Sequence, residues 1–466
     1  MNEPASPQSD GLVGRILKNV GFLFGGKTSA VLIGLAVLAI AARALTIEEL
    51  GLLLVLHAFI ALMTGIATFK SWQALIQFGT EPVEQGDLPE FHRLLRFTIG
   101  LDIVAAVFAG ILSVSAFLVF RSRLGLPEEV FWIALSYCLL SATNFRSSPL
   151  GVLRLYDRFD LISLHDQAVP VVRLIGASLG LLLGGGLTWF ILVWMAAAAA
   201  TNLVMPLLAL RELSRRGALK GVFEKRPTLK APRKGIWRYV WMSNIDATIN
   251  LIDKQLPTLL AGALLGPAFA ALFKIARDVS EVLGKGARLL NQVLYPELVR
   301  LMIAGATMRA VRIIIFSSVY LLAAGIGLSL LISLFGPSLF AAALDRGYEG
   351  VVPIATMLVI AAALIGATAP IYSGLYALGN PGWAALTRAL AVTITMVLFV
   401  ALSNSMQDAG PGWAMVMGAA FGLLLASLVA VMRAYRAREA SGQAAFNEDV
   451  SDDTKASSAE PPAKSG

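Results

Sequence analysis

The feature that most constrains this chain is a succession of apolar runs, each about 20 residues long. A helix of that length covers about 30 Å, the thickness of a bilayer's hydrocarbon core. The runs predict about twelve transmembrane helices, near 20–42, 50–69, 97–120, 130–150, 165–186, 188–210, 239–264, 268–290, 310–335, 351–377, 384–404 and 412–433. Composition agrees: 57% of the residues are hydrophobic and 15% charged, against about half and a quarter in soluble domains. That balance excludes most soluble enzymes, disordered proteins and secreted disulfide scaffolds. The lone Cys138 allows no internal disulfide and no cysteine zinc site, and His57, His92 and His165 lack metal-site spacing. The expected class is an all-α polytopic membrane protein.

Lys and Arg set the expected orientation, because they concentrate in cytoplasmic loops. With a cytoplasmic N-terminus, the outer loops share only Arg43, Arg121, Arg123 and Arg346, whereas the inner loop Arg211 to Arg238 alone carries ten basic residues. Both termini are therefore expected in the cytoplasm. No cleaved signal peptide is read before Asn19, since Glu3, Asp10, Arg15 and Lys18 lead straight into a full-length span. The predicted organisation is a cytoplasmic segment 1–19, an N-lobe 20–210, a basic linker 211–238, a C-lobe 239–435 and a small, polar, acidic tail 436–466 read as disordered. The linker's charge suits anionic lipid headgroups rather than nucleic acid.

The lobes resemble each other. "ARALTIEELGLLL" from Ala42 pairs with "AGALLGPAFAALF" from Ala261, and "GVLRLYDRF" from Gly151 with "GLYALGNPG" from Gly374, at offsets of 219 and 223 residues. Each pair occupies the same position within its set of six spans. Repeats in the same orientation are related by an axis along the membrane normal, with a substrate path between them.

Ionisable groups within spans are expensive and usually face a cavity or a partner. In the eighth span Lys274, Arg277, Asp278, Glu281, Lys285 and Arg288 fall within about 100° of one helix face. The seventh span carries Ser243, Asp246, Asn250, Asp253, Lys254 and Pro257, mostly on one face. Only Leu265 to Pro267 separates the two spans, so they are expected to be antiparallel neighbours whose stripes face each other or one cavity. Lys27, Asp102, Arg146, Arg173 and Arg388 are further intramembrane charges. Cations outnumber the acids Asp102, Asp246, Asp253, Asp278 and Glu281, a balance that suits an anionic substrate, with acids available for proton or sodium coupling. The span 8 stripe can also be read as paired charges that fix helix register. Lys27 and Arg146 fall near span ends, where long side chains snorkel to the interface. His57 is read as a packed imidazole, and the Gly176, Gly180, Gly184 ridge beside Arg173 as helix packing.

Two motifs are rejected. Gly21, Gly26, Lys27 and Thr28 match a P-loop literally, but they open a membrane helix in a chain without a strand system. "YDRF" from Tyr156 follows span 4 and lacks the glycine of the major facilitator loop.

Three stretches resemble the polysaccharide branch of the multidrug/oligosaccharidyl-lipid/polysaccharide exporter superfamily, the Wzx-type O-antigen flippases. "ARALTIEELG" (Ala42 to Gly51) resembles that family's turn after span 1, with Thr46 and Ile47 in place of Gly-Pro. "GVLRLYDRFD" (Gly151 to Asp160) resembles its loop after span 4. "IDKQLPTLLAGALLGPAFAALFKIARDV" (Ile252 to Val279), continuing to "LYPELVRL" (Leu294 to Leu301), resembles its Asp-Lys span, Leu-Gly-Pro turn and following helix, with Phe273 where tyrosine is usual. The resemblance implies two six-helix lobes around a central cavity. It implies flipping of a polyprenyl-pyrophosphate-linked oligosaccharide by alternating access in a bacterial inner membrane, for O-antigen, capsule or exopolysaccharide synthesis. Lys254, Lys274 and Arg277 can offer a pyrophosphate charge-assisted hydrogen bonds, and Arg173 and Arg388 are further candidates. Asp246, Asp253, Asp278 and Glu281 are the candidate coupling acids. No cofactor or metal is expected beyond a coupling H⁺ or Na⁺. The implied partners are the lipid-linked oligosaccharide, membrane lipids, and polymerase and chain-length machinery. The competing readings are a multidrug antiporter, which calls for an acidic cavity, and a glycan polymerase or ligase, which calls for a long outer loop.

Overall fold

The computed structural model describes residues 29–30, 32–304, 306–344 and 347–457. The first apolar span is seen as α1 (Leu32–Ala44); the segment 1–19, the P-loop-like residues and Arg346 lie outside the described residues. The chain continues through α2 (Ile47–Ala67), α3 (Ser71–Gln85), α4 (Leu88–Leu124), α5 (Phe131–Leu139), α6 (Ser147–Leu155), α7 (Phe159–Leu183), α8 (Leu187–Arg215), the short α9 (Lys220–Phe223) and α10 (Ile236–Leu265). Then follow α11 (Pro267–Ile303), α12 (Thr307–Ala343), α13 (Val351–Ala377), α14 (Pro381–Met406) and α15 (Gly410–Ser457). No strand occurs among the described residues. The expected class, an all-α polytopic membrane protein, is the one observed.

Seven stretches among the described residues are long and apolar enough to cross a bilayer, among them α2, α4, α7, α8 and α13. α10 and α11 fall outside that set because of the charges they carry. The helices also present apolar side chains outward: Leu182 is 79% exposed, Phe316 73% and Leu424 70%. In water such surfaces aggregate; in a bilayer they are solvated.

Two departures from the sequence expectation have clear causes. α3 was not anticipated, because a 15-residue amphipathic helix is too short for a search tuned to 20-residue apolar runs. The fourth span is broken: α5 tightens into a 3₁₀ turn at Leu140–Thr143, and a new helix starts at Ser147. In addition, α15 is helical through Ser457, across much of the segment read as a tail. Its alanines favour helix, and extending an existing helix does not require the costly nucleation step.

The chain divides into two compact units. The first comprises the described residues up to Asp278 with Ser333–Ala355 and Phe399–Pro411. Its core packs Phe91, Phe97, Leu75, Leu153, Met205 and Ile236 together, with Phe97 edge-on to Trp237 at 5.3 Å and Phe78 edge-on to Tyr239 at 5.8 Å. This core pins α3, α4, α6, α8 and the start of α10. The second unit comprises Val279–Ile332, Thr356–Leu398 and the chain from Gly412, cored by Ile371, Tyr372, Leu375, Ala384, Ala426 and Val429.

The first and third family-like stretches meet inside the first unit. Thr46 caps α2 in a reciprocal box with Glu49: the Thr46 Oγ1 accepts from the Glu49 amide at 3.2 Å, and Glu49 accepts from the Thr46 amide at 3.0 Å. Five residues on, Gly51 lies so close to Pro267 that a Cβ would sit 1.8 Å from its carbonyl oxygen. Only glycine allows this approach. The turn between α10 and α11 needs glycine for another reason: Gly266 has φ of +91°.

The second stretch is a clamp. Arg158 binds Asp160 through two parallel contacts, Nε at 2.9 Å and Nη2 at 2.8 Å, and also pairs with the buried Glu212 at the end of α8. Arg216 binds the same Glu212 at 2.8 Å and stacks over Tyr156 at 4.2 Å. The basic linker is folded against α4 rather than free. The His92 Nε2 donates to the Ala218 carbonyl at 2.8 Å, Arg96 to the Gly221 carbonyl at 2.8 Å, and Arg233 to Glu81 at 2.9 Å and Glu90 at 3.1 Å. Glu81 and Glu90 hold the Arg233 guanidinium above its ordinary pKa by accepting its hydrogen bonds.

Candidate functional site

The polar centre of the first unit is assembled from α2, α5, α7, α8, α10 and α11. His57 lies eleven residues into α2, about 15 Å along an otherwise apolar helix. Both ring nitrogens are engaged: Nδ1 lies 2.8 Å from the Tyr137 hydroxyl of α5, and Nε2 lies 3.2 Å from the Arg173 Nη2 of α7. A guanidinium only donates, so Nε2 accepts and Nδ1 carries the proton. His57 is thus a neutral imidazole that orients an arginine. Arg173 also lies over the Trp194 ring of α8 at 4.6 Å, a cation–π arrangement. From sequence His57 reads as a packed imidazole; in the structure it is bonded to Arg173, a candidate substrate-binding residue. An imidazole eleven residues into a membrane span was the available signal.

Around this pair stand the charges of α10 and α11. Lys254 and Lys274 both act electrostatically on His57, and Asp278 acts on Arg173. Lys274 and Asp278 form an ion pair one turn apart on α11, as their i,i+4 spacing predicts. Lys254 is exposed. Arg277, only 8% exposed, donates through Nη2 to the Asp253 carbonyl at 2.7 Å. That carbonyl is available because Pro257, four residues on, has no N–H to bond it. A proline in α10 thus supplies the acceptor that fixes an arginine of α11.

The structure therefore bonds Arg173 to His57, sets Lys254 and Lys274 within electrostatic range of His57 and Asp278 within range of Arg173, and links α10 to α11 through Arg277 and the Asp253 carbonyl. Glu281 lies three residues beyond Asp278 on α11, where the second unit has begun. Arg388 belongs to the second unit, on α14, with its guanidinium 5.2 Å from the Tyr372 ring centre. Asp246 lies on α10, and its side chain is outside those described. The Gly176 ridge serves packing: Trp189 donates to the Gly176 carbonyl at 2.9 Å and joins α7 to α8.

Asp102 of α4 is distinct from this cluster. It is 5% exposed and accepts from the Ser71 Oγ at 2.5 Å and the Ser148 amide at 2.6 Å. One carboxylate therefore ties the first turns of α3 and α6 to α4.

These features define a multi-pass helical membrane protein with a polar, cation-rich centre. Residues 16–302 match the family model described as polysaccharide biosynthesis protein, and the chain belongs to that family. It is 31% identical over 297 residues to inner membrane protein YghQ of Escherichia coli (strain K12), covering 63% of this chain and 82% of that protein. Its fold is similar to that of an inward-facing multidrug resistance MATE family transporter of the MOP superfamily, with a TM-score of 0.69 at 13% identity over 88% of this chain and 96% of the other. It is likewise similar to the lipid II flippase MurJ in its inward closed conformation, with a TM-score of 0.64 at 12% identity over 88% and 87% of the two chains.

Proposed function

We propose that this protein is a flippase, not an enzyme, that carries a polyprenyl-pyrophosphate-linked oligosaccharide across the bacterial inner membrane for surface polysaccharide synthesis. The observation that carries the reading is the grouping of Arg173, Lys254 and Lys274 around His57 in a chain otherwise built for lipid. A pyrophosphate is the anionic part of such a substrate, and fixed cations with N–H donors suit it. Membership of the polysaccharide biosynthesis family and a fold shared with a lipid II flippase support the same reading. Alternating access of the two lobes around a central cavity moves the headgroup while its tail stays in lipid. Asp253, Asp278, Asp246 and Glu281 are the acids available for H⁺ or Na⁺ coupling. The multidrug alternative shares the fold, but an excess of cations over acids repels a cationic drug.

The test is deletion in the host, followed by analysis of lipid-linked intermediates. The proposal expects polyprenyl-linked oligosaccharide to accumulate on the cytoplasmic leaflet and surface glycan to disappear. Absence of that intermediate, with surface glycan unchanged, overturns it.

A further inference from the structure

Two helix breaks in the first unit lie side by side. α2 ends at Ala67 and α3 begins at Ser71; the α5 segment ends at Thr143 and α6 begins at Ser147. The breaks are stitched together: Asn144 Nδ2 donates to the Thr68 Oγ1 at 3.0 Å, the Trp72 amide to the Ser147 Oγ at 3.1 Å, and the Thr64 Oγ1 to the Ser141 Oγ at 2.8 Å. Lys70 precedes α3 and Arg146 precedes α6, so the stitching sets these two cations at one junction, within electrostatic reach of each other.

Neither cation is neutralised. The Lys70 side chain has no hydrogen-bond or ion-pair partner among the described residues. Arg146 gives only its Nε, to the Asn144 Oδ1 at 2.7 Å. Asp166 acts electrostatically on Arg146 without an ion pair to it among the described residues, and acts likewise on Arg154, which stacks on Trp72 at 4.0 Å. The adjacent buried acid, Asp102, is already committed to Ser71 and Ser148. Adjacent cations removed from bulk water repel each other and lose hydration, and an anion between them offsets both costs.

We propose that the paired helix breaks form a phosphate-binding site in which Lys70 and Arg146 grip the oxyanion. The site is built from residues other than those around His57; a bilayer phospholipid as occupant stands without the flippase reading, whereas a transported diphosphate rests on it. The phosphate comes either from a bilayer phospholipid or from the diphosphate of a transported lipid.

The test uses the full chain in phosphatidylcholine nanodiscs, carrying Lys254→Gln and Lys274→Gln so that the other cation cluster is weakened. Inorganic pyrophosphate is titrated by calorimetry. Adding Lys70→Gln with Arg146→Gln is expected to weaken binding about tenfold, the effect of losing a charge-assisted hydrogen bond. The charge-preserving exchange Lys70→Arg with Arg146→Lys keeps binding. In discs containing phosphatidylglycerol, competition with pyrophosphate identifies a bilayer lipid as occupant, and lack of competition identifies a transported diphosphate. The proposal is overturned if the background protein binds no pyrophosphate, or if the glutamine and charge-preserving variants bind alike. Because the readout is binding, a failure of export in the host leaves it intact.

Discussion

The polar centre around His57 and the junction of the two helix breaks handle charge in opposite ways. At the centre, cations meet partners: Lys274 has Asp278, Arg277 has the Asp253 carbonyl, and Arg173 has His57 and Trp194. At the junction the acid, Asp102, is consumed by hydroxyl and amide donors, and Lys70 and Arg146 form no ion pair among the described residues. A centre whose cations already have partners can exchange them at modest cost, as the proposed flippase cycle requires. A junction whose cations lack an ion pair is instead suited to an external anion.

The contrast is broken most severely by Asp102→Leu. It leaves the Ser71 hydroxyl and Ser148 amide buried without an acceptor, and is expected to cost about 3 kcal/mol, read as a lowered midpoint in thermal unfolding of the detergent-solubilised protein. An unchanged midpoint would show that Asp102 does not bind α3 and α6 together. Next comes Arg277→Ala. It removes a half-fixed cation from the centre while the protein still inserts, and about a tenfold loss of surface glycan is expected; Arg277→Lys should recover little, since a lysine lacks the planar fork. Normal glycan with Arg277→Ala counts against a substrate role for the centre. The smallest effect is expected from Arg233→Gln, which releases the linker's partly exposed contacts to Glu81 and Glu90 at a cost under about 1 kcal/mol. Faster proteolysis within 211–238, with little change in melting, is the expected result; equal proteolysis would mean that the backbone contacts to Ala218 and Gly221 suffice.

The two regions were unequally legible in the sequence. The α11 stripe could be located from spacing alone, because six charges recur on one face of an apolar helix, although spacing does not separate a substrate site from paired charges that fix helix register. The short connection at Leu265 to Pro267 placed α10 beside it. The junction could not be read that way. Lys70 and Arg146 are far apart in sequence, and Arg146 near a span end reads equally well as a snorkelling side chain. The break before α6 did leave a trace, since Ser147-Ser148-Pro149 is a helix-start signature, but it was hidden within an apolar run long enough to count as one span. α3 was missed for the complementary reason: its apolar residues are periodic rather than continuous. His57 could be located but not interpreted, because its partners Tyr137 and Arg173 come from other helices.

Pro257 gives α10 a point of weakness, and the acceptor it frees is bonded to Arg277 of the next helix. A backbone carbonyl carries no full charge, so it steadies the guanidinium without neutralising it. Should α10 flex at its proline, the carbonyl swings and the tethered cation is dragged along. Shape change in one helix and displacement of a charge in its neighbour are thereby geared together through a single hydrogen bond.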